Sequence, residues 1–574
     1  MKLLFSHIGK YKAASILSPV FKLLEACFEL IVPLIVAGVI DNGIKKGDSG
    51  YVWSHVPILV LFAVVGFASA ITAQYFAAYS ATGISSGIRK SLHDKLQTLS
   101  ISDYEKIGSS GMVTLLTSDV NQIQTGINLF LRLLLRSPFI VVGACIMAAT
   151  VKPSIALILV ACTALLAIVI ALNMKFSIIR HRESRSGLDC LVKKTSNGIA
   201  GERVIRGFNK TKEDYQKFEE NSQNLKKSQI KAADFAAWLN PLTYAVVNLG
   251  ICLLIYRGSV HFNAGTLTDG QVVALYNYMS QILIELVKLA NLIVSVSRAY
   301  ACLKRAEGLM ELKSTANNGT KVLPVGTPLA VSMKNVSFTY QGNVEESVKD
   351  FSIDIKPGET IGIIGSTGCG KSTAASLIAG IYNADEGEVD INGKNIKDIA
   401  VSSLSSAVAM SLQKTRLFKG SLKENITLGR NSLTNEDIEI ACKASCSDDV
   451  IATKKEGLDF VISDGGAGLS GGQRQRIGIA RALAGKPGLV ILDDSTSALD
   501  WGTEKKLLNN LSNLPVKPTL ILVSQKVRTC MNCDRIILMD DGKIEAVAPH
   551  EELLKISENY RYMNSLQMKE GAVS

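Results

Sequence analysis

The stretch TIGIIGSTGCGKSTAASLIAG, residues 360–380, decides the class of the soluble half of this chain. It reads as an apolar strand, a glycine-rich loop and a helix. From Gly365 to Ser372 it fits G-x-x-x-x-G-K-[ST]. In that arrangement Gly365, Ser366, Thr367, Gly368, Cys369 and Gly370 form the loop, and Lys371, Ser372 and Thr373 open the helix. Loop and helix-terminal N–H groups face outward and cradle phosphate. Lys371 then reaches the β- and γ-phosphates, and Ser372 offers a hydroxyl to Mg²⁺. A glycine-rich turn of no function would not need both the preceding strand and the following helix.

Two further stretches belong to the same chemistry. GLVILDDSTSALD, residues 488–500, is a second apolar strand ending in two carboxylates. Asp493, at the strand end, suits Mg²⁺, and Asp494 stands where a general base would polarise an attacking water. LSGGQ, residues 469–473, precedes RQRIGIARAL, which reads as a helix. Leu469, Ser470, Gly471, Gly472 and Gln473 therefore sit at a helix start, a second place where N–H groups meet an anion. One ATP cannot use both loops if they lie far apart on one domain. Two domains set head-to-tail would let each loop cap the other's nucleotide.

Before residue 328 the pattern is different. Apolar runs long enough to span a bilayer fall at about 16–40, 56–79, 127–151, 153–173, 239–256 and 271–296. The expected organisation is a membrane domain over residues 1–310, a linker over 311–327 and an α/β domain over 328–574. Much longer connections follow the second and fourth runs. They carry Arg89, Lys90, Lys95 and Lys106, then Lys175, Arg180, Arg182, Arg185, Lys193 and Lys194. The positive-inside rule puts both connections and both termini in the cytoplasm. Leu92, Leu96 and Leu99 keep helical spacing there, so the spans are expected to continue as helices beyond the bilayer. The net charge of +11 is accounted for by such basic loops, and nucleic acid is not expected as a partner.

Charged residues within the runs come in pairs on shared faces: Glu25 with Glu29, Arg132 with Arg136, Glu285 with Lys288. They fit a polar path for a substrate, ion pairs between helices, or positions beyond the membrane boundary. Residues 1–12, MKLLFSHIGKYK, lack the apolar core of a secretory signal and read as a basic amphipathic stretch on the membrane surface. The 11 cysteines follow no framework spacing. The lone CxxC of Cys530 and Cys533 lacks the second ligand pair of a zinc site.

The combination resembles the ATP-binding cassette (ABC) transporters, specifically exporter-type half-transporters, along nearly the whole chain. Tyr340 matches the family's adenine-stacking aromatic, and Gln413 its Q-loop glutamine, beside the metal with Ser372 and Asp493. Ser497, Ala498, Leu499 and Asp500 match the D-loop. Residues 104–120 and 196–210 look like the two cytoplasmic stretches bearing coupling helices, and 265–278 like the approach to the sixth span. The resemblance implies a six-span α-helical membrane domain of the type IV exporter fold, an α/β P-loop nucleotide-binding domain, ATP and Mg²⁺, and two chains per transporter. It places the protein in the inner or plasma membrane, in contact with lipid, with the nucleotide domain cytoplasmic.

Two departures sharpen that expectation. The family's catalytic Glu is here Asp494, one methylene shorter, and its switch His is here Gln525. A base displaced by ~1 Å can cost on the order of 10²-fold in rate. Gln can hydrogen-bond a γ-phosphate but cannot carry a proton's charge. Asp464-Gly465-Gly466 also replaces the usual Glu-Arg-Gly before the signature. Together these resemble the degenerate subunit of heterodimeric multidrug exporters. The partner implied is a second half-transporter with intact Glu and His, and the substrate a hydrophobic or amphipathic, drug-like small molecule. The alternatives are a homodimeric lipid or peptide flippase, a siderophore importer on the exporter fold, and an ATP-sensing membrane regulator.

Overall fold

A computed structural model describes residues 2–312 and 319–570. The chain divides into two compact units. One takes Met1–Gln97 and Ser110–Leu312, the other Thr98–Ser109 and Lys313–Ser574. Residues 313–318 of the expected linker lie outside the described residues.

In the first unit six helical segments are long and apolar enough to cross a membrane, among the described residues: Lys2–Ile44, Ser49–Gln97, Ser109–Val151, Pro153–Ala200, Thr211–Asn263 and Asp269–Glu311. Their principal helices are α1 (Lys12–Gly38), α2 (Ser49–Gln97), α3 (Val120–Leu133), α4 (Arg136–Val151), α5 (Pro153–Ala200), α6 (Thr211–Ala237), α7 (Leu239–Asn263) and α8 (Asp269–Glu311). The 49 residues of α2 make roughly 70 Å of helix, over twice the ~30 Å of a hydrocarbon core. The long connections are thus continuations of the spans. Local chemistry sets the boundaries. Pro153 opens α5 at a position that needs no N–H. Thr268 opens α8 through a capping box with Gln271.

Along α2, Ala73, Ala77, Ala81, Ile84, Ile88 and Leu92 form one buried stripe, at spacings of three and four residues. Small residues let neighbouring helices approach, as helix packing in lipid requires. Val60, Leu61, Val64 and Phe67 of the same helix are apolar and exposed, the mark of a lipid-facing surface.

The N-terminal stretch lies against α2. Leu3 is buried, His7 Nε2 is 3.0 Å from Ser91 Oγ, and the Tyr11 ring meets Tyr79 edge-on at 5.5 Å. Gly83 and Gly87 leave the room, since a Cβ on either would meet Tyr11 at 2.2 Å or His7 at 2.4 Å. The packing against α2 at these two glycines was not legible in the sequence reading of this stretch.

The charged pairs within the spans meet across helices. Arg136 donates to Glu29 of α1 at 2.6 Å and to Glu285 of α8 at 2.7 Å. Ser137 and Lys288 also donate to Glu285, at 2.7 and 2.8 Å. Arg136 and Glu285 are both buried. Interhelical ion pairs, one of the arrangements open from sequence, are thus formed by Arg136 with Glu29 and Glu285.

The second unit contains β1 (Val331–Phe338), β2 (Val348–Ile355), β3 (Thr360–Gly365), β4 (Glu386–Ile391), β5 (Lys394–Asn395), β6 (Val408–Ser411), β7 (Gly420–Ser421), β8 (Val461–Ile462), β9 (Leu489–Asp493), β10 (Thr519–Val523), β11 (Arg535–Asp540) and β12 (Lys543–Ala548). One sheet runs β12-β11-β3-β10-β9-β6, parallel except for β12. A second, antiparallel, runs β2-β1-β4-β5. Strands β9 and β10 are buried at every position, as expected of parallel strands covered on both faces. Adjacent strands β3, β10 and β9 end level, with Val523 beside Ile363 and Asp493. Their carboxyl ends deliver the P-loop, the Gln525 segment and the two aspartates to one place, where ligands bind in open α/β sheets.

The same unit includes the short helix Ile101–Ile107. Ser100 caps it, accepting from Asp103 N–H at 3.2 Å, and Tyr382 donates to Glu105 at 2.8 Å. The stretch 104–120, read as one coupling element, is thus divided. Residues up to Ser109 belong with the nucleotide unit, and those after it with the membrane unit.

Candidate nucleotide site

Between β3 and α9 (Lys371–Ile378) the loop turns through left-handed backbone at Gly368 (φ 88°) and Gly370 (φ 94°). A Cβ at Gly370 would lie 2.2 Å from the Ser347 carbonyl oxygen, so both conformation and space demand glycine there. Lys371 folds back and donates to the carbonyls of Gly365 (2.9 Å) and Ser366 (2.6 Å). Its ammonium is thereby held at the loop where phosphate charge would sit.

Opposite the loop, Ser372 donates to Asp493 Oδ1 at 2.8 Å. Burial pushes the Asp493 carboxyl above its usual range, the Ser372 hydrogen bond opposing and the neighbouring Asp494 adding to the shift. Gln413 Nε2 donates to Asp494 Oδ2 at 3.0 Å. Asp494 itself sits in left-handed backbone, φ 45°. Thr367 donates to Gln525 Oε1 at 3.4 Å. These groups line one cavity of about 340 Å³, with Tyr340 at its edge. The Tyr340 ring packs edge-on against Phe338 and Tyr382, and its hydroxyl is 3.2 Å from that of Thr373.

The donor set suits Mg²⁺. A hydroxyl and a carboxylate, both hard oxygens, are already within hydrogen-bond distance, with an amide beside them. Mg²⁺ ordinarily takes one or two carboxylates and completes its shell with phosphate and water.

The signature residues lie elsewhere. None of Leu469 to Gln473 lines the P-loop cavity. Ser470 caps α10 (Gly471–Leu483), accepting from Gln473 N–H at 3.2 Å while Gln473 Oε1 accepts from Ser470 N–H at 2.9 Å. The helix start is tied to the D-loop. Gln475 donates to Ser497 Oγ at 3.2 Å and accepts from Ala498 N–H at 3.0 Å. A Cβ at Gly472 would stand 2.8 Å from the Ala498 oxygen. Leu499 follows within the same turn, and Asp500 caps α11 (Trp501–Ser512) through Thr503 N–H at 2.9 Å. The P-loop and the signature loop thus lie in separate places on one domain.

Glu504 escaped the sequence reading. It is buried and accepts from Thr496 (2.7 Å) and Thr529 (2.8 Å), binding the segment before the D-loop to the segment after Gln525. Gln475 was missed as well. Its neighbour Gln473 belongs to the motif, but nothing in a lone second glutamine marks it.

Comparison with known proteins agrees with this architecture. The family model described as the ABC transporter transmembrane region matches residues 15–286, and that described as ABC transporter matches 348–497. The chain is 31% identical to an uncharacterized ABC transporter ATP-binding protein of Bacillus subtilis, YfiB, covering 100% of both. It is 25% identical to an ATP-dependent lipid A-core flippase of Vibrio vulnificus, over 99% of this chain and 98% of that one. A solved bacterial Atm1-family ABC exporter with ATP bound superposes with a TM-score of 0.83 at 20% identity, covering 98% and 99% of the two chains. That likeness concerns the fold.

Proposed function

From the premise that this chain belongs to the ABC transporters, as a half-transporter with the exporter fold, we propose that it is one subunit of an asymmetric, ATP-driven exporter of amphipathic or drug-like compounds. Its partner is a non-identical half-transporter carrying the Glu and His that this chain lacks. Its own P-loop site holds ATP and cleaves it slowly, while its signature loop completes the partner's hydrolytic site.

The observation that carries this proposal is the pairing of Asp494 and Gln525 around an otherwise intact phosphate loop. The Asp494 carboxylate is engaged by Gln413 at 3.0 Å, and Gln525 faces Thr367 with an amide that does not ionise. Lys371 and the loop N–H groups bind phosphate, and Ser372 and Asp493 would hold Mg²⁺, which neutralises phosphate charge when bound. No residue at the Gln525 position takes up a proton's charge as an imidazole would.

The membrane unit supports pairing with a second chain. Ile199, Val204 and Phe208, in the second cytoplasmic stretch, are 74%, 62% and 76% exposed. Apolar side chains outside the bilayer and this exposed fit a surface covered by a partner. In this proposal both termini and the nucleotide unit face the cytoplasm.

The test is transport by purified protein in lipid vesicles. With a co-expressed partner bearing Glu and His, ATP should drive accumulation of an amphipathic dye. Dye movement by this chain alone would refute the asymmetric pair. Lipid movement by this chain alone would favour the flippase reading, which the similarity to the lipid A-core flippase supports. Nucleotide binding without movement of any cargo would favour an ATP-sensing regulator.

A further inference from the structure

We propose that Gln567, on α12 (Glu558–Glu570), is a positioning residue for Gln525 and so for recognition of the terminal phosphate. The proposal rests on the nucleotide-site reading above. Gln567 Oε1 accepts from Val527 N–H at 2.7 Å, and its Nε2 donates to the Gln525 carbonyl at 2.8 Å. One side-chain amide thus grips the backbone on both sides of Lys526. The two partners are 40 and 42 residues away in sequence, so only the folded chain brings them together.

The rest of the segment is pinned from the other side. Ser524 N–H donates to the Ile363 carbonyl at 3.1 Å, and Ser524 Oγ accepts from Lys526 N–H at 3.0 Å. Gln525 lies between these anchors, its side chain directed to Thr367. Val527 is buried, so packing holds the far end of the segment. On the Gln525 side a cavity of about 600 Å³ borders it, lined among others by Gln525, Asp494, Asn564 and Gln567. Removing the Gln567 amide leaves the Val527 N–H and the Gln525 carbonyl without their side-chain partner.

The base of α12 is fixed. Tyr560 is fully buried, its hydroxyl is 2.8 Å from His550 Nδ1, and its N–H donates to Ser557 Oγ. The helix therefore presents Gln567 from a rigid root. A functional side chain needs support of this kind to hold its geometry within ~0.5 Å.

On the nucleotide-site reading, Gln525 meets the terminal phosphate that distinguishes ATP from ADP, so the ratio of the two affinities is the readout. The full-length chain in lipid nanodiscs is titrated with Mg-ATP and Mg-ADP by displacement of a fluorescent nucleotide. Gln567→Ala should lower the ATP-to-ADP affinity ratio about five-fold, the scale of a lost hydrogen-bond pair, with ADP affinity unchanged. Gln567→Glu accepts but does not donate, and should fall between. In a Gln525→Ala background, Gln567→Ala should add no further loss. An unchanged ratio in Gln567→Ala, or full additivity with Gln525→Ala, overturns the proposal. An unchanged ratio in Gln525→Ala alone overturns the nucleotide-site reading beneath it. A purely structural role for Gln567 would weaken both nucleotides equally, and that result also refutes it.

Discussion

In the proposed asymmetric transporter, the catalytic character of this chain turns on two side chains. Asp494 is short by one methylene and already bonded to Gln413. Gln525 supplies an amide where an ionisable ring would serve. Restoring both, by Asp494→Glu with Gln525→His, should raise ATP turnover of the full-length chain by at least ~10-fold, since misplacement by ~1 Å can cost about 10²-fold. Steady-state phosphate release checks it, and no gain would mean that the defect lies elsewhere. These two positions were legible because phosphate-binding motifs are local in sequence, each held by a few consecutive residues at a strand end. Glu504 and Gln567 were not legible. Each is a lone polar residue whose partners are brought to it by the fold, Thr529 lying 25 residues from Glu504 and Gln525 lying 42 from Gln567.

At the scale of elements, the proposed function gives the start of α10 two duties. Ser470 caps the helix and also faces outward at the signature loop. Ser470→Asp keeps a side-chain acceptor for the cap, worth ~1 kcal/mol, but sets a carboxylate against phosphate. The expected outcome is an unchanged melting midpoint with loss of the pair's ATP turnover, and a larger loss than Asp494→Ala causes. Equal losses from the two would count against separate roles.

The ionic contact of α1, α4 and α8 makes a second element-scale prediction. Arg136→Met removes the cation that joins Glu29 and the buried Glu285, leaving Glu285 only Ser137 and Lys288, and should destabilise the membrane unit by about 3 kcal/mol, the low end for a broken buried pair. Adding Glu285→Gln should recover part of that loss, as read by thermal melting in detergent; simple additivity would mean that the two do not act as a pair. Helix existence was legible from apolar runs, and the continuation of α2 from the spacing of Leu92 and Leu96, whereas Leu99, read with them, lies past the helix end at Gln97. The pairing was not, because like charges a turn apart on one helix say nothing about which neighbour answers them.

For the whole molecule, two halves of different character, a membrane domain and an α/β domain, are legible in composition alone. It did not reveal that residues 98–109 belong with the nucleotide unit although they fall among the membrane residues. A compact unit assembled from distant stretches leaves no compositional boundary. The P-loop cavity and the signature loop occupy separate places on one domain, and Ile199, Val204 and Phe208 stand exposed. Both features make sense for a chain that works only beside another. The decisive quantity is the ATP turnover of the full-length chain purified without a partner. If its own site holds ATP and fires rarely, turnover lies on the order of 10²-fold below the ~10 s⁻¹ common among enzymes, and co-purification with a partner bearing Glu and His restores it. Brisk turnover by the single chain, abolished by Lys371→Ala, would show that Asp494 and Gln525 form a competent site and would end the asymmetric assignment.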